Sequence, residues 1–81
     1  MRYQVRPEPV EPEFVDAVQW FPEKGHPLVI AFVDEGKIRG QLRHAAGIAF
    51  IDPGDWIVTK ENDGRIYPVP DRHFANAFIL L

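Results

Sequence analysis

The side chains here that could carry chemistry are the carboxylates Asp52, Asp55 and Asp71 and the imidazoles His26, His44 and His73. Paired carboxylates can divide acid and base work between them, and histidines one helical turn apart can grip a divalent metal. Neither arrangement is written in this chain. The histidines are too widely spaced for a helical pair and no cysteine supports them, so no metal site is expected. Asp52 and Asp55 flank Pro53-Gly54, which reads as a type II turn: Pro53 presets φ at the second position and Gly54 supplies positive φ at the third. Asp55 can accept backbone hydrogen bonds within that turn, and Asp71, after Pro70, is a candidate helix N-cap. Serine and cysteine are both absent, and the only small hydroxyl is Thr59. The common activated nucleophiles are therefore missing, and the expectation is no enzyme and no cofactor.

Binding is the chemistry that remains. Lys37, Arg39, Gln41 and Arg43 alternate with Ile38, Gly40 and Leu42, a half-exposed strand with a basic outer stripe. Such a stripe could meet phosphates or an acidic partner, or simply be the charge that keeps strand edges from pairing. No aromatic stacking partners are interleaved with these cations, which disfavours nucleic acid. Trp20, Trp56 and Tyr67 form the aromatic set. Each builds core or, if partly exposed, anchors an interface. The candidate binding residues are Arg39, Arg43, Trp56 and Tyr67.

The elements that must position these residues are short. At 81 residues one domain is expected, burying roughly 60–65% of its unfolded surface. An apolar content of 46% suffices for one modest core, and a net charge of -3 is too mild to imply a nucleic-acid surface. No apolar run approaches the roughly 20 residues that span a bilayer, and the N-terminal prolines and glutamates do not read as a signal peptide. A cytoplasmic setting is expected, with no membrane association.

Residues 1–13 read as an extended Pro/Glu-rich arm, because Pro7, Pro9 and Pro12 forbid a helix. Residues 14–81 read as the compact domain. A first strand runs over 14–21 and stops at Pro22. Residues 28–33 are apolar throughout and fit either a buried strand or a short helix opened by Pro27. Strands follow over 37–44 and 45–51, then a hairpin of 56–59 with 65–67 across the turn Glu61-Asn62-Asp63-Gly64. Pro68-Val69-Pro70 should break the ladder, Asp71 should start one short turn through Phe74, and residues 77–81 should form a terminal strand. The expected class is α+β and β-rich, a small single-domain antiparallel sheet with one or two short helical segments.

The corner and its sequel resemble a family of small phage and prophage proteins. The resemblance is carried by Pro53-Gly54-Asp55-Trp56-Ile57-Val58, Gly64, Tyr67-Pro68, Pro70-Asp71 and Phe74, and by the opening strand Ala17-Val18-Gln19-Trp20. His26-Pro27 with Val29 is similar to actinobacteriophage members, in which that step opens a short helix. The similarity spans roughly residues 15–33 and 52–78. The chain departs from the pattern at Arg43-His44-Ala45-Ala46-Gly47, in the longer turn before Gly64, at Val69 where a cysteine is usual, and at Ala77-Phe78-Ile79. What the resemblance implies is a phage accessory protein with no catalytic residues to carry over. The functional expectation is non-catalytic binding, with a host protein as partner and self-association into a homodimer as a further option. The alternative is a small-ligand or nucleotide-binding module.

Overall fold

In the computed structural model, which describes residues 1–81, the chain runs β1 (Arg2–Val5), β2 (Phe14–Gln19), β3 (Val29–Asp34), β4 (Lys37–His44), β5 (Gly47–Ile51), β6 (Trp56–Lys60), β7 (Ile66–Val69), α1 (Asp71–Ala77) and β8 (Phe78–Leu80). The strands form two antiparallel sheets, ordered β7-β6-β2-β1-β8 and β3-β4-β5. Local chemistry explains most of the boundaries. Asp34 pairs with Lys37 across the two residues Glu35 and Gly36, whose φ angles are 51° and 77°. Positive φ at both central positions is the type I′ turn that matches strand twist. The alternation of residues 37–44 becomes β4, with Gly40 and Leu42 buried on its inner face.

Two cores hold the sheets. On one face of the five-stranded sheet, α1 lays Phe74 over Tyr3, Val15, Ala17, Val58, Val69 and Phe78. The opposite face presents Ile57, which joins Trp20, Leu42 and Ile51 in a second cluster that packs the smaller sheet against the larger. Side chains alternate across a strand, so Ile57 and Val58 serve different cores. Gly40 is where the layers come closest: a Cβ there would lie 2.7 Å from Val29 Cγ1, 2.9 Å from Ile51 Cγ1 and 3.0 Å from Trp20 Cη2.

The fold is β-rich and antiparallel with one short helix, and several sequence expectations need correction. There are two sheets where a single sheet was expected. The 1–13 arm divides: Arg2–Val5 is an interior strand between β2 and β8 with Tyr3 buried, and residues 6–13 form the connecting segment. Residues 29–34 are strand and not helix, entered through a turn in which Leu28 N–H donates to His26 Nδ1 at 3.1 Å. Pro68 does not end the ladder. It sits within β7, the edge strand of its sheet, where a missing N–H can face away from the neighbour. Asp71 is the first helical residue, not the N-cap; Pro70 takes that place and offers no side-chain cap. No helix is long and apolar enough to cross a membrane.

Candidate functional site

The register of the smaller sheet determines what its outer face displays. Phe32 pairs with Arg39, Ile30 with Gln41, Gln41 with Phe50 and Arg43 with Ile48. Directly opposed residues in an antiparallel ladder share a face. The outer face therefore carries Ile30, Phe32, Ile48 and Phe50 around Arg39, Gln41 and Arg43. Nothing in the chain covers it: Ile30 and Ile48 are each 53% exposed and Phe50 is 55% exposed.

Arg39 is the fixed point of this face. Its Nε donates to Asp52 Oδ1 at 2.7 Å, and Nη1 lies 3.8 Å from Asp34 Oδ2. The hydrogen bond to Asp52 raises its pKa further above the ordinary arginine value, against a smaller opposing effect of desolvation. The guanidinium carbon also sits 5.6 Å from the centre of the Phe50 ring, and Phe50 meets Phe32 edge-on at 5.8 Å. These contacts hold a planar cation and two aromatic rings in one arrangement before any partner arrives, so aromatic side chains do stand among the cations, contrary to the expectation from β4 alone. Arg43 and Lys37 pair with no carboxylate and leave the face net basic.

The four candidate binding residues do not form one contiguous set. Arg39 and Arg43 share the outer face of the small sheet, as the alternation implied. Trp56 packs half-buried against the helix-side core, stacked on Phe74 at 3.8 Å between ring centres, with Nε1–H donated to Asp71 Oδ1 at 2.9 Å. Tyr67 borders a separate open groove of about 1000 Å³ between residues 11–14, the β6–β7 turn and the β4–β5 turn. Burial, and then the charge of Glu13, push the Tyr67 phenol up from its ordinary pKa.

The Pro53-Gly54 corner is a junction of elements. Asp55 N–H donates to Asp52 O at 3.0 Å, closing the turn, and Gly54 takes φ 95°. The Asp55 carboxylate accepts from Asp52 N–H at 2.9 Å and from Asp71 N–H at 3.2 Å, so it serves the helix start that Pro70 cannot cap. Trp20 N–H donates to Asp55 O and Gly54 N–H to Trp20 O, both at 2.8 Å, while Gln19 Nε2 donates to Gly54 O at 2.9 Å. The three aspartates thus hold Arg39, two backbone amides and the Trp56 indole. All are engaged in structure.

Ile30, Phe32, Ile48 and Phe50 went unread as site residues. A signal for two of them was available. A two-residue turn at Ala45-Ala46 pairs His44 with Gly47, which places Ile48 opposite Arg43 and Phe50 opposite Gln41. That puts both on the face of the basic stripe, opposite the side where Gly47 and Ala49 stay small.

Comparisons with protein families, with curated proteins and with solved structures found no match to this chain.

Proposed function

We propose that this protein works by binding another protein and not by catalysis, and that it is a phage-encoded accessory factor acting on a host protein in the host cytoplasm. The phage context follows from the resemblance of the 52–58 corner and the Tyr67-Pro68 to Phe74 sequel. The mode of action is supported by one observation: the uncovered outer face of β3, β4 and β5, with exposed Ile30, Ile48 and Phe50 grouped about a pre-set Arg39. Contiguous apolar surface of this kind marks interaction sites, and aromatic and arginine side chains dominate binding energy at such sites. A net basic face selects a partner whose docking surface is apolar and acidic.

The test is capture from host lysate by the purified chain, compared with Phe50→Glu and Arg43→Glu. A specific band that disappears with both variants, while circular dichroism and Tm stay unchanged, supports the reading. A band indifferent to both substitutions, or no specific band at all, refutes it.

A second reading, a small-ligand or nucleotide module, is favoured by the groove beside Tyr67. Of its three cations, Lys60 and Arg65 already lie 4.0 Å and 3.6 Å from Asp63, and Arg6 alone has no carboxylate partner to compete with a phosphate. A nucleotide that raised Tm with concentration would favour the groove over the face, since a ligand bound only to the folded state stabilises it by mass action.

A further inference from the structure

We infer that β3 is the seam of a symmetric dimer, pairing antiparallel with β3 of a second copy about a two-fold axis through Ala31. The observation is an edge strand with its outward backbone groups free and none of the usual protections. Proteins guard exposed edges with prolines, lysines, bulges or shortness. Among the other edge strands, β7 carries Pro68, β8 is three residues long, and β5 lies against β7. β3 reads Val29-Ile30-Ala31-Phe32-Val33-Asp34, six residues paired without interruption to β4, with no proline and no lysine.

The hydrogen-bond phase determines which groups are available. Arg43 N–H donates to Leu28 O at 3.2 Å. Bonded and non-bonded pairs alternate along an antiparallel ladder, so Ile30, Phe32 and Asp34 also aim their backbone groups at β4. Ala31 and Val33 aim theirs outward, as does the Val29 carbonyl. The Val29 N–H is already taken by His26 O at 3.1 Å. A two-fold axis through Ala31 uses these groups and no others, apart from the Val33 carbonyl, whose opposite number is the occupied Val29 N–H. Each Ala31 N–H meets the Ala31 carbonyl of the other copy, and each Val33 N–H meets the Val29 carbonyl of the other copy.

The side chains agree with that register. Ile30 falls opposite Phe32 on the outer face, and Val29 opposite Val33 on the inner face, where Val33 is 71% exposed in the single chain. Asp34, the strand's one charge, falls opposite Leu28, so no like charges meet across the seam. The two small sheets become one of six strands, ordered β5-β4-β3-β3-β4-β5. A single strand pairing buries less than the roughly 1,200 Å² of a standard interface, which places the dimer in the weak class, with half-association at about 10–100 μM.

The first test is sedimentation equilibrium on the purified chain from about 1 μM to about 1 mM, a span that brackets the expected midpoint. The mass should climb from 9.3 kDa towards twice that value. Val33→Lys, at an exposed position, should hold it at the monomer value with an unchanged circular dichroism spectrum. The second test reads the register. Opposed Cα atoms of a bonded pair are about 5.5 Å apart, a gap that a short bifunctional thiol reagent bridges more readily than a direct disulfide, and the chain has no cysteine of its own. Ala31→Cys should therefore give a covalent dimer with such a reagent. Val29→Cys should not, because its copy lies about 13 Å away along the strand. A mass that stays at 9.3 kDa throughout, a dimer indifferent to Val33→Lys, or equal cross-linking at positions 29 and 31 would each overturn the inference. The cross-linking comparison stands even if Val33→Lys fails to fold.

Discussion

The helix-side face of the five-stranded sheet and the outer face of the three-stranded sheet are built from the same kinds of side chain. On the first, Tyr3, Val15, Val58, Val69 and Phe78 lie beneath α1 and are buried. On the second, Ile30, Ile48 and Phe50 have no layer above them and stand about half exposed. The inner face of the small sheet is itself divided, since Leu42 and Ile51 reach the core while Val33 and Ile38 extend past it into solvent. Stability should thus be concentrated around Phe74 and Trp20, and the distal half of the small sheet should contribute little. Apolar surface that does not stabilise the fold is free to meet something else.

The sharpest test of that division sets two phenylalanines against each other. Phe74→Ala removes the side chain joining helix to sheet and should cost about 3–5 kcal/mol, a large part of what so small a domain possesses. Phe50→Ala, on the open face, should move stability by no more than about 0.5 kcal/mol. Urea unfolding of both variants decides it, and equal losses would break the comparison. Gly40→Ala probes the contact between the layers. The added methyl meets Val29, Ile51 and Trp20 at 3.0 Å or less, so overpacking should cost about 1–3 kcal/mol.

Glu35→Asn tests the hairpin tip beyond the core. Glu35 holds φ 51°, a conformation asparagine adopts more readily, and the change should raise stability by about 0.5–1 kcal/mol in thermal melts. The smallest effect should come from Tyr67, whose pKa is raised above 10.0 in the folded chain. The native state then holds this proton more tightly than the unfolded chain does. Its stabilising contribution is complete below pH 10.0 and is lost as pH rises through the higher folded value. Tyr67→Phe should flatten the alkaline limb of stability against pH and leave the neutral region unchanged.

Strands with a strict period or a strong turn were legible in the sequence. The 37–44 alternation and the Pro53-Gly54 corner translate directly into β4 and the turn between β5 and β6, because both are local instructions. β1 was hidden for the opposite reason. Its four residues carry little periodicity, prolines follow, and its partners β2 and β8 lie one close by and one at the far end of the sequence. Period gives the face of a strand but not its neighbour, so the division into two sheets could not be read either. The basic half of the candidate face was visible in the cations of β4. Of its apolar half, Ile30 and Phe32 were masked in residues 28–33, where an apolar run reads as burial on both sides. Trp56 read as core or, if partly exposed, as an interface anchor; it is half-buried, with its ring stacked on Phe74 at the margin of the helix-side core.

The corner at residues 52–55 carries a dynamic consequence. Its reciprocal backbone bonds to Trp20 and the Asp55 carboxylate at Asp71 N–H join the end of one sheet, the exit from the other and the start of the helix. Those three cannot fray one at a time. In deuterated solvent the amide protons of Trp20, Gly54 and Asp71 should be retained together and released only when the whole molecule opens, while those of Ala31 and Val33 are replaced early in the dilute single chain and more slowly where two copies pair.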